Sequence, residues 1–397
     1  MALRYAIVAH AVPACPQFLA WATINLDVAP GDDFAAHFYR LACEALGECS
    51  FKHELHRPSL RALQATVLIG LYELHRAHFG RAWLTVSRAD WLTQTMQLRT
   101  LDSDEAPFLD SPELLDEARR AQWATSSLAC MLMMGERMGD SIEEATTWLP
   151  GPPASEKSQA SGISVGDIFR NAAPRPLSVE EALLAAHMLT RRVVVHVRET
   201  RVRSCWPDRQ PYSFWTNQHR LEQTLQYIRN FLKTDPKPEP RLETMLDLYV
   251  RAWSIVLYEA KLRRTDASSW NAGDAGRQGA GGDALLQQTL ELAQALQTRV
   301  LPVDAASLIT VSWVVYVALQ SLLRGKRRLS NLLHTGPIAV TCALVMDSFD
   351  ALQSMLAKLG VDSPIANFFL SQVETEKSCS DAALGKCLVG LADFNVG

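Results

Sequence analysis

The sequence predicts an all-α protein, and three observations carry the prediction. Apolar residues recur at intervals of three and four along most of the chain. Serines, glycines and prolines stand where helix caps and breaks belong. No segment alternates convincingly with the period of two that a half-buried strand needs. The chain has 397 residues, 48% apolar and 21% charged, which is ample for a large buried core. The expected architecture is a single large multi-helix domain over residues 1–397, with flexible loop excursions at 149–176 and 265–282.

The first clear element runs from Ser59 to Phe79, opening on a serine cap and closing at Gly80, which is expected to supply the left-handed C-cap. Leu60, Leu63, Val67, Leu68 and Leu71 share its apolar face. Beyond Gly80, Ala82, Val86, Ala89, Thr93 and Met96 form a second stripe of small residues at the same spacing. Small side chains let two helix backbones approach, so the two stripes read as a packed antiparallel pair. Trp83 and Trp91 occupy a neighbouring face and are expected to cover its edge.

Further helical runs are Ser111–Gly139, Ser178–Arg203, Ser213–Lys233, Pro240–Arg264, Asp283–Arg299, Asp304–Leu323 and Gly336–Leu359. Ser178 followed by Glu180 and Glu181 makes a strong helix start, because a serine cap and first-turn carboxylates complement free N–H groups and the dipole. The apolar Val193–Val195 lies inside a helical pattern. Residues 149–176 are rich in Pro, Gly and Ser, and residues 265–282 are close to low complexity.

Composition excludes some functions. A net charge of −4 gives no global field that would draw the molecule onto a polyanion. The eight cysteines (Cys15, Cys43, Cys49, Cys130, Cys205, Cys342, Cys379 and Cys387) contain no CxxC pair, so a cysteine-only zinc cluster is not expected. Scattered thiols and an opening without a charged, strongly apolar leader predict a reducing cytosolic or nuclear environment.

Ala305–Leu323 is nineteen residues without a charge and is followed by a basic flank, as a membrane span would be. Ser307, Thr310, Ser312, Gln320 and Ser321 dilute it, which favours a helix buried on all sides. No membrane association is expected. In the basic flank, Arg324, Lys326, Arg327 and Arg328 form a candidate nuclear-import or phosphate-binding patch; the alternative is a solvated loop after an apolar helix.

Catalytic motifs are sparse. His53/His56 and His75/His78 are two HxxH pairs, a spacing that shares a helix face and suits a metal, although histidines at helix ends also bond free carbonyls. Asp102, Asp104, Glu105 and Asp110 only loosely resemble the aspartate-rich stretch of an isoprenoid cyclase. Asp247, Ser254 and Glu259 lack the spacing of its second metal motif. Phosphate loops, dinucleotide fingerprints, nucleophile elbows and HExxH are absent. No catalytic, metal or cofactor-binding residue is assigned, and no cofactor is expected.

The order of motifs adds more than their chemistry. Leu63-Gln64-Ala65, Tyr72, Ala82-Trp83, Ala89 and Leu98 resemble the central helices of the fungal-specific transcription factor domain, the middle homology region of zinc-cluster regulators. Glu117, Arg119, Arg120 and Trp123 look like that family's acidic–arginine–aromatic helix. Thr147-Trp148-Leu149-Pro150 with Glu156 resembles its Leu-Pro segment, and Phe214-Trp215 with Leu221 and Leu225 a later helix. Tyr316-Val317-Ala318 and Asn367, Leu370 and Gln372 fit its final helices. The chain departs from the family at Ser87–Trp91, where glycine and arginine usually stand, and in lacking the six-cysteine zinc cluster that reads DNA.

The resemblance implies a transcriptional regulator, working in the nucleus or alternatively the cytoplasm, possessing no DNA-binding cluster of its own and connected with specialised metabolism. It would act through a homodimer or protein partners, reaching DNA indirectly or through a missing N-terminal segment, and under a small-molecule effector. The aromatic stripe at Gly80–Thr100 is then expected to be core. The alternative is a cofactor-independent cyclase or isomerase on the same scaffold, with some of Trp83, Trp91, Trp123, Trp215 and Trp253 converging on one cavity.

Overall fold

The computed structural model describes residues 1–15, 17, 18, 20, 33–52, 59–103, 111–132, 148, 149, 162–173, 176–202, 214–231, 240–269, 278–299, 301, 305–330, 338–361 and 363–378. Among these the regular structure is helical throughout, with no strand. The chain divides into two compact units, residues 1–132 with 137–167, and residues 168–395.

The first unit holds α1 (Ala2–Ala11), α2 (Phe34–Lys52), α3 (Leu60–His75), α4 (Phe79–Thr95) and α5 (Pro112–Leu132). The expected α3–α4 pair forms. Of the expected faces, Leu63 of α3 and Ala82, Val86, Ala89 and Thr93 of α4 are buried, whereas Leu60, Val67, Leu68, Leu71 and Met96 are only half-buried and α3 instead turns Ala65, Ile69 and Leu74 inward. Close approach is built in at Gly70, where a Cβ would crowd Leu128 of α5 and Val86 of α4. Ser59 caps α3, its hydroxyl accepting from Ala62 N at 3.2 Å.

The turn differs from expectation. The left-handed residue is Ala77, at φ 57°, and Gly80 lies within the first turn of α4. His78 N–H donates to Glu73 O at 2.8 Å and Ala77 N–H to Leu74 O at 2.9 Å. That pair of bonds is a Schellman closure, which satisfies the terminal carbonyls three residues before the glycine.

The expectation that Trp83 and Trp91 are core is also overturned: they are 47% and 49% exposed, and Leu84 between them is 64% exposed. The α4 face that enters the core is made by its small residues. Two indoles on the adjacent face are too large to follow them into so close a helix contact, and they stand in solvent.

The second unit holds α7 (Val179–Val202), α8 (Phe214–Phe231), α9 (Pro240–Ser269), α10 (Gln278–Thr298), α11 (Ala305–Ser330), α12 (Ile338–Gly360) and α13 (Pro364–Ser378); the division between units falls within the short α6 (Val165–Phe169). Ser178 and Glu181 close a reciprocal capping box at the start of α7, with bonds of 2.8 and 3.2 Å. The central element is α9, flanked by α7, α8, α10 and α11. In α11 the apolar window is 89% buried, so its composition answers to the protein core.

Both expected loops contain helix. Residues 265–269 continue α9 and 278–282 begin α10, while α6 lies within 149–176. The helices α1, α2 and α13 carry no periodic signal strong enough to read. In α1 the buried residues are Ala2, Ala6 and Ala9, whose small side chains weigh little in any hydropathy pattern.

Candidate functional site

In the first unit, the motif residues meet at one joint. Arg119 of α5 forms an ion pair with Asp102, whose side chain is only 4% exposed, and the second bond, from Nε to Oδ2, is 3.1 Å. The same Oδ2 accepts Trp148 N–H at 2.7 Å. The Trp148 carbonyl in turn accepts the indole N–H of buried Trp123, also at 2.7 Å. The Arg119 guanidinium lies 5.3 Å from the centre of the Trp148 ring. Separately, Glu117, two residues before Arg119 on α5, accepts Gln64 Nε2 of α3 at 2.6 Å. Asp102 is therefore a structural anion. Its partners in the aspartate-rich stretch, Asp104, Glu105 and Asp110, lie outside the described residues.

The histidine pairs are not brought into a metal-binding arrangement where they can be seen. His53 and His56 lie outside the described residues. His75 ends α3, half-buried, and burial lowers its pKa; His78 is exposed at the α4 N-terminus. Among the described residues no three His, Cys, Asp or Glu side chains converge as a metal set.

In the second unit the basic run is helical, in place of a solvated loop. Arg324 forms an ion pair with Glu259 of α9, which is 5% exposed and lies 3.6 Å from Arg263 as well. Arg327 donates to the Glu376 carbonyl of α13 at 2.8 Å. Only Lys326 lacks a partner among the described residues, and the Arg328 side chain lies outside them. Two of the four candidate cations are thus committed to holding α11 against α9 and α13.

The five candidate tryptophans, Trp83, Trp91, Trp123, Trp215 and Trp253, do not gather on a cavity within either unit. In the first, Trp123 is buried while Trp83 and Trp91 face solvent; in the second, Trp253 is buried and Trp215 is 49% exposed. Trp253 packs against Trp313 (ring centres 4.5 Å apart) and Tyr249 (6.0 Å). Tyr249 shares a 2.6 Å hydrogen bond with Thr190 and meets His187 edge-on at 5.0 Å. Burial pushes the His187 pKa down to about 4, so this ring is neutral in ordinary conditions. Nearby on α7, His196 stacks on Phe214 at 4.7 Å and meets Gln218 at 2.8 Å.

The feature the sequence did not disclose is a polar trough in this second unit. It has a volume of about 460 Å³ and lies along one face of α9, between α8 and α10. Gln218 donates to the Leu257 carbonyl at 3.1 Å, and Asp247 pairs with Arg299 at 2.8 Å. These contacts make both flanking helices antiparallel to α9. Leu225 and Val250 supply an apolar floor; Arg229, Arg251, Ser254 and Tyr258 supply polar groups. Asp247 and Glu259, by contrast, are engaged by arginines. The spacings 225/229 and 250/254/258 place these residues on one face of each helix. That they face one another across a gap was not legible in the sequence.

In sequence the chain is similar to the citrinin biosynthesis transcriptional activators of Monascus ruber and Monascus purpureus. It is 25% identical to each over 244 residues, 58% of this chain and 47% and 42% of those proteins. It is also 25% identical over 263 residues to the pigment biosynthesis transcriptional activator of Monascus ruber, covering 62% of this chain and 47% of that protein. The chain spans about half the length of the curated relatives it matches. No family model and no solved structure matches it.

Proposed function

We propose that the chain is the regulatory part of a transcriptional activator of a fungal biosynthetic gene cluster. The observation that carries this reading is the similarity to such activators over more than half the chain. The motifs of the resemblance support it. Gln64, Glu117, Arg119, Trp123 and Trp148, dispersed in sequence, are joined by hydrogen bonds or ring contacts. They define a packing scheme and need no catalytic role.

On this reading the protein acts in the nucleus. The 397 residues contain no six-cysteine zinc cluster, so DNA is reached through a further segment or a protein partner. The helical units supply assembly and effector response. The test is deletion of the gene, with transcripts and small-molecule products measured in the same culture. A coordinated fall in the transcripts of one gene cluster is expected. Steady transcripts with one accumulating intermediate would replace the regulator by an enzyme.

A further inference from the structure

The trough on α9 has an uneven charge distribution. At one end Asp247 is answered by two arginines, Arg251 at 2.9 Å and Arg299 at 2.8 Å. The antiparallel register brings Arg229 of α8 to this same end, and Arg229 has no carboxylate partner among the described residues. Asp247 thus answers Arg251 and Arg299, while Arg229 adds a further guanidinium to the trough lining beside Arg251. Arg251 uses only Nε on Asp247, leaving its terminal nitrogens without a hydrogen bond among the described residues. At the other end Glu222 and Lys261 offset each other at 4.0 Å. The α10 wall carries Glu291, which among the described residues accepts only from its neighbour Gln287 at 3.1 Å.

A guanidinium fork with unused donors is the group best matched to a carboxylate, and the low, apolar floor of Leu225 and Val250 strengthens such a pair. On the α10 wall the exposed Glu291 carboxylate can accept a further hydrogen-bond donor. We infer that this trough binds a small organic acid, its carboxylate held by Arg229 and Arg251 and a hydroxyl or ammonium at its far end held by Glu291. The binding site stands on the trough alone. Its use as an effector site rests on the regulator reading and fails with it, whereas binding to the purified chain does not.

Isothermal titration calorimetry on the full chain tests this with 4-hydroxybenzoate and 4-(aminomethyl)benzoate. Benzoate lacks the far donor; sodium phosphate and sodium chloride serve as anion controls. At least one of the two donor-bearing acids is expected to bind with a Kd of about 1 mM or tighter, and more tightly than benzoate. Which of the two binds better tells a hydroxyl from an ammonium at Glu291. Arg229→Gln is expected to weaken binding by about tenfold, the loss of one charge-assisted bond, and Glu291→Gln to remove the preference over benzoate. Lys358→Gln, an exposed lysine on α12, leaves binding unchanged. No binding of either acid, equal binding of phosphate, or an undiminished affinity in both trough variants would overturn the inference. Arg229 and Glu291 take no part in the core, and circular dichroism of each variant verifies that it is folded.

Discussion

The indole N–H of Trp123 donates to the backbone carbonyl of Trp148 at 2.7 Å, and with the Arg119 guanidinium over the Trp148 ring this bond ties Trp148 to α5. Trp123→Phe keeps the buried ring but leaves the carbonyl without its donor. The expected loss is about 1–2 kcal/mol, read as a lower urea midpoint by far-ultraviolet circular dichroism. Gly162→Ala is expected to cost at least as much, because its new methyl group collides with the Trp148 ring. A midpoint unchanged in both variants would mean the joint contributes nothing to stability.

Ala77 closes α3 in a left-handed conformation, at φ 57°. An alanine there is strained by its Cβ, and glycine is not. Ala77→Gly is expected to raise stability by about 0.5–1 kcal/mol, despite the greater freedom of glycine in the unfolded chain. A fall in the urea midpoint would contradict the observed turn.

His187 gives the second unit a pH dependence of definite sign. Its folded pKa, about 4, lies below the ordinary 6.5 because burial disfavours the charged ring. Above 6.5 neither state is protonated and it contributes no slope. Between 6.5 and 4 the unfolded chain takes up a proton that the folded chain refuses, so stability falls as pH falls. The total loss is about 3 kcal/mol, from roughly 1.4 kcal/mol per pH unit. His187→Gln is expected to flatten this window relative to the parent chain. Equal slopes in the two proteins would refute the assignment.

The basic run separates by stability. Arg324→Gln leaves Glu259, 5% exposed, with Arg263 alone at 3.6 Å and is expected to cost about 2–4 kcal/mol. Lys326→Gln, on the same helix without a partner among the described residues, is expected to stay within about 0.5 kcal/mol. A fourfold substitution of Arg324, Lys326, Arg327 and Arg328 would therefore confuse unfolding with loss of nuclear import. A tagged Lys326→Gln chain tests import cleanly, and retained import with this variant would remove Lys326 from any import signal.

The exposed indoles of α4 are expected to be nearly neutral for folding. Trp83→Gln and Trp91→Gln should each change stability by no more than about 0.5 kcal/mol, measured by the same urea titration. A loss of several kcal/mol from either would restore the reading of this stripe as core.

Most helices were legible because a long amphipathic face repeats its signal over several turns. Ser59 and Ser178 announced their helices, and Ser178 with Glu181 closes a full capping box. The helices α1, α2, α6 and α13 were not read. In α1 the core contacts come from alanines, and an alanine stripe has little hydropathic contrast. The candidate site was not read from the sequence. Arg229, Arg251 and Glu291 lie on three helices, and the charges between them belong to salt bridges that no spacing reveals.

The sequence by itself determined the all-α class, most helix positions and a motif order that resembles fungal regulators. Those follow from local rules, where spacing of three and four residues and capping chemistry act within one or two turns. Tertiary structure decided which residues of a face are core, as Trp83 and Ala82 show from adjacent positions. It also tied Asp102 to Arg119 and Arg324 to Glu259 in largely buried ion pairs, and opened the trough between α8 and α10. Each of these depends on how closely two helices approach, a distance set by side chains remote in sequence.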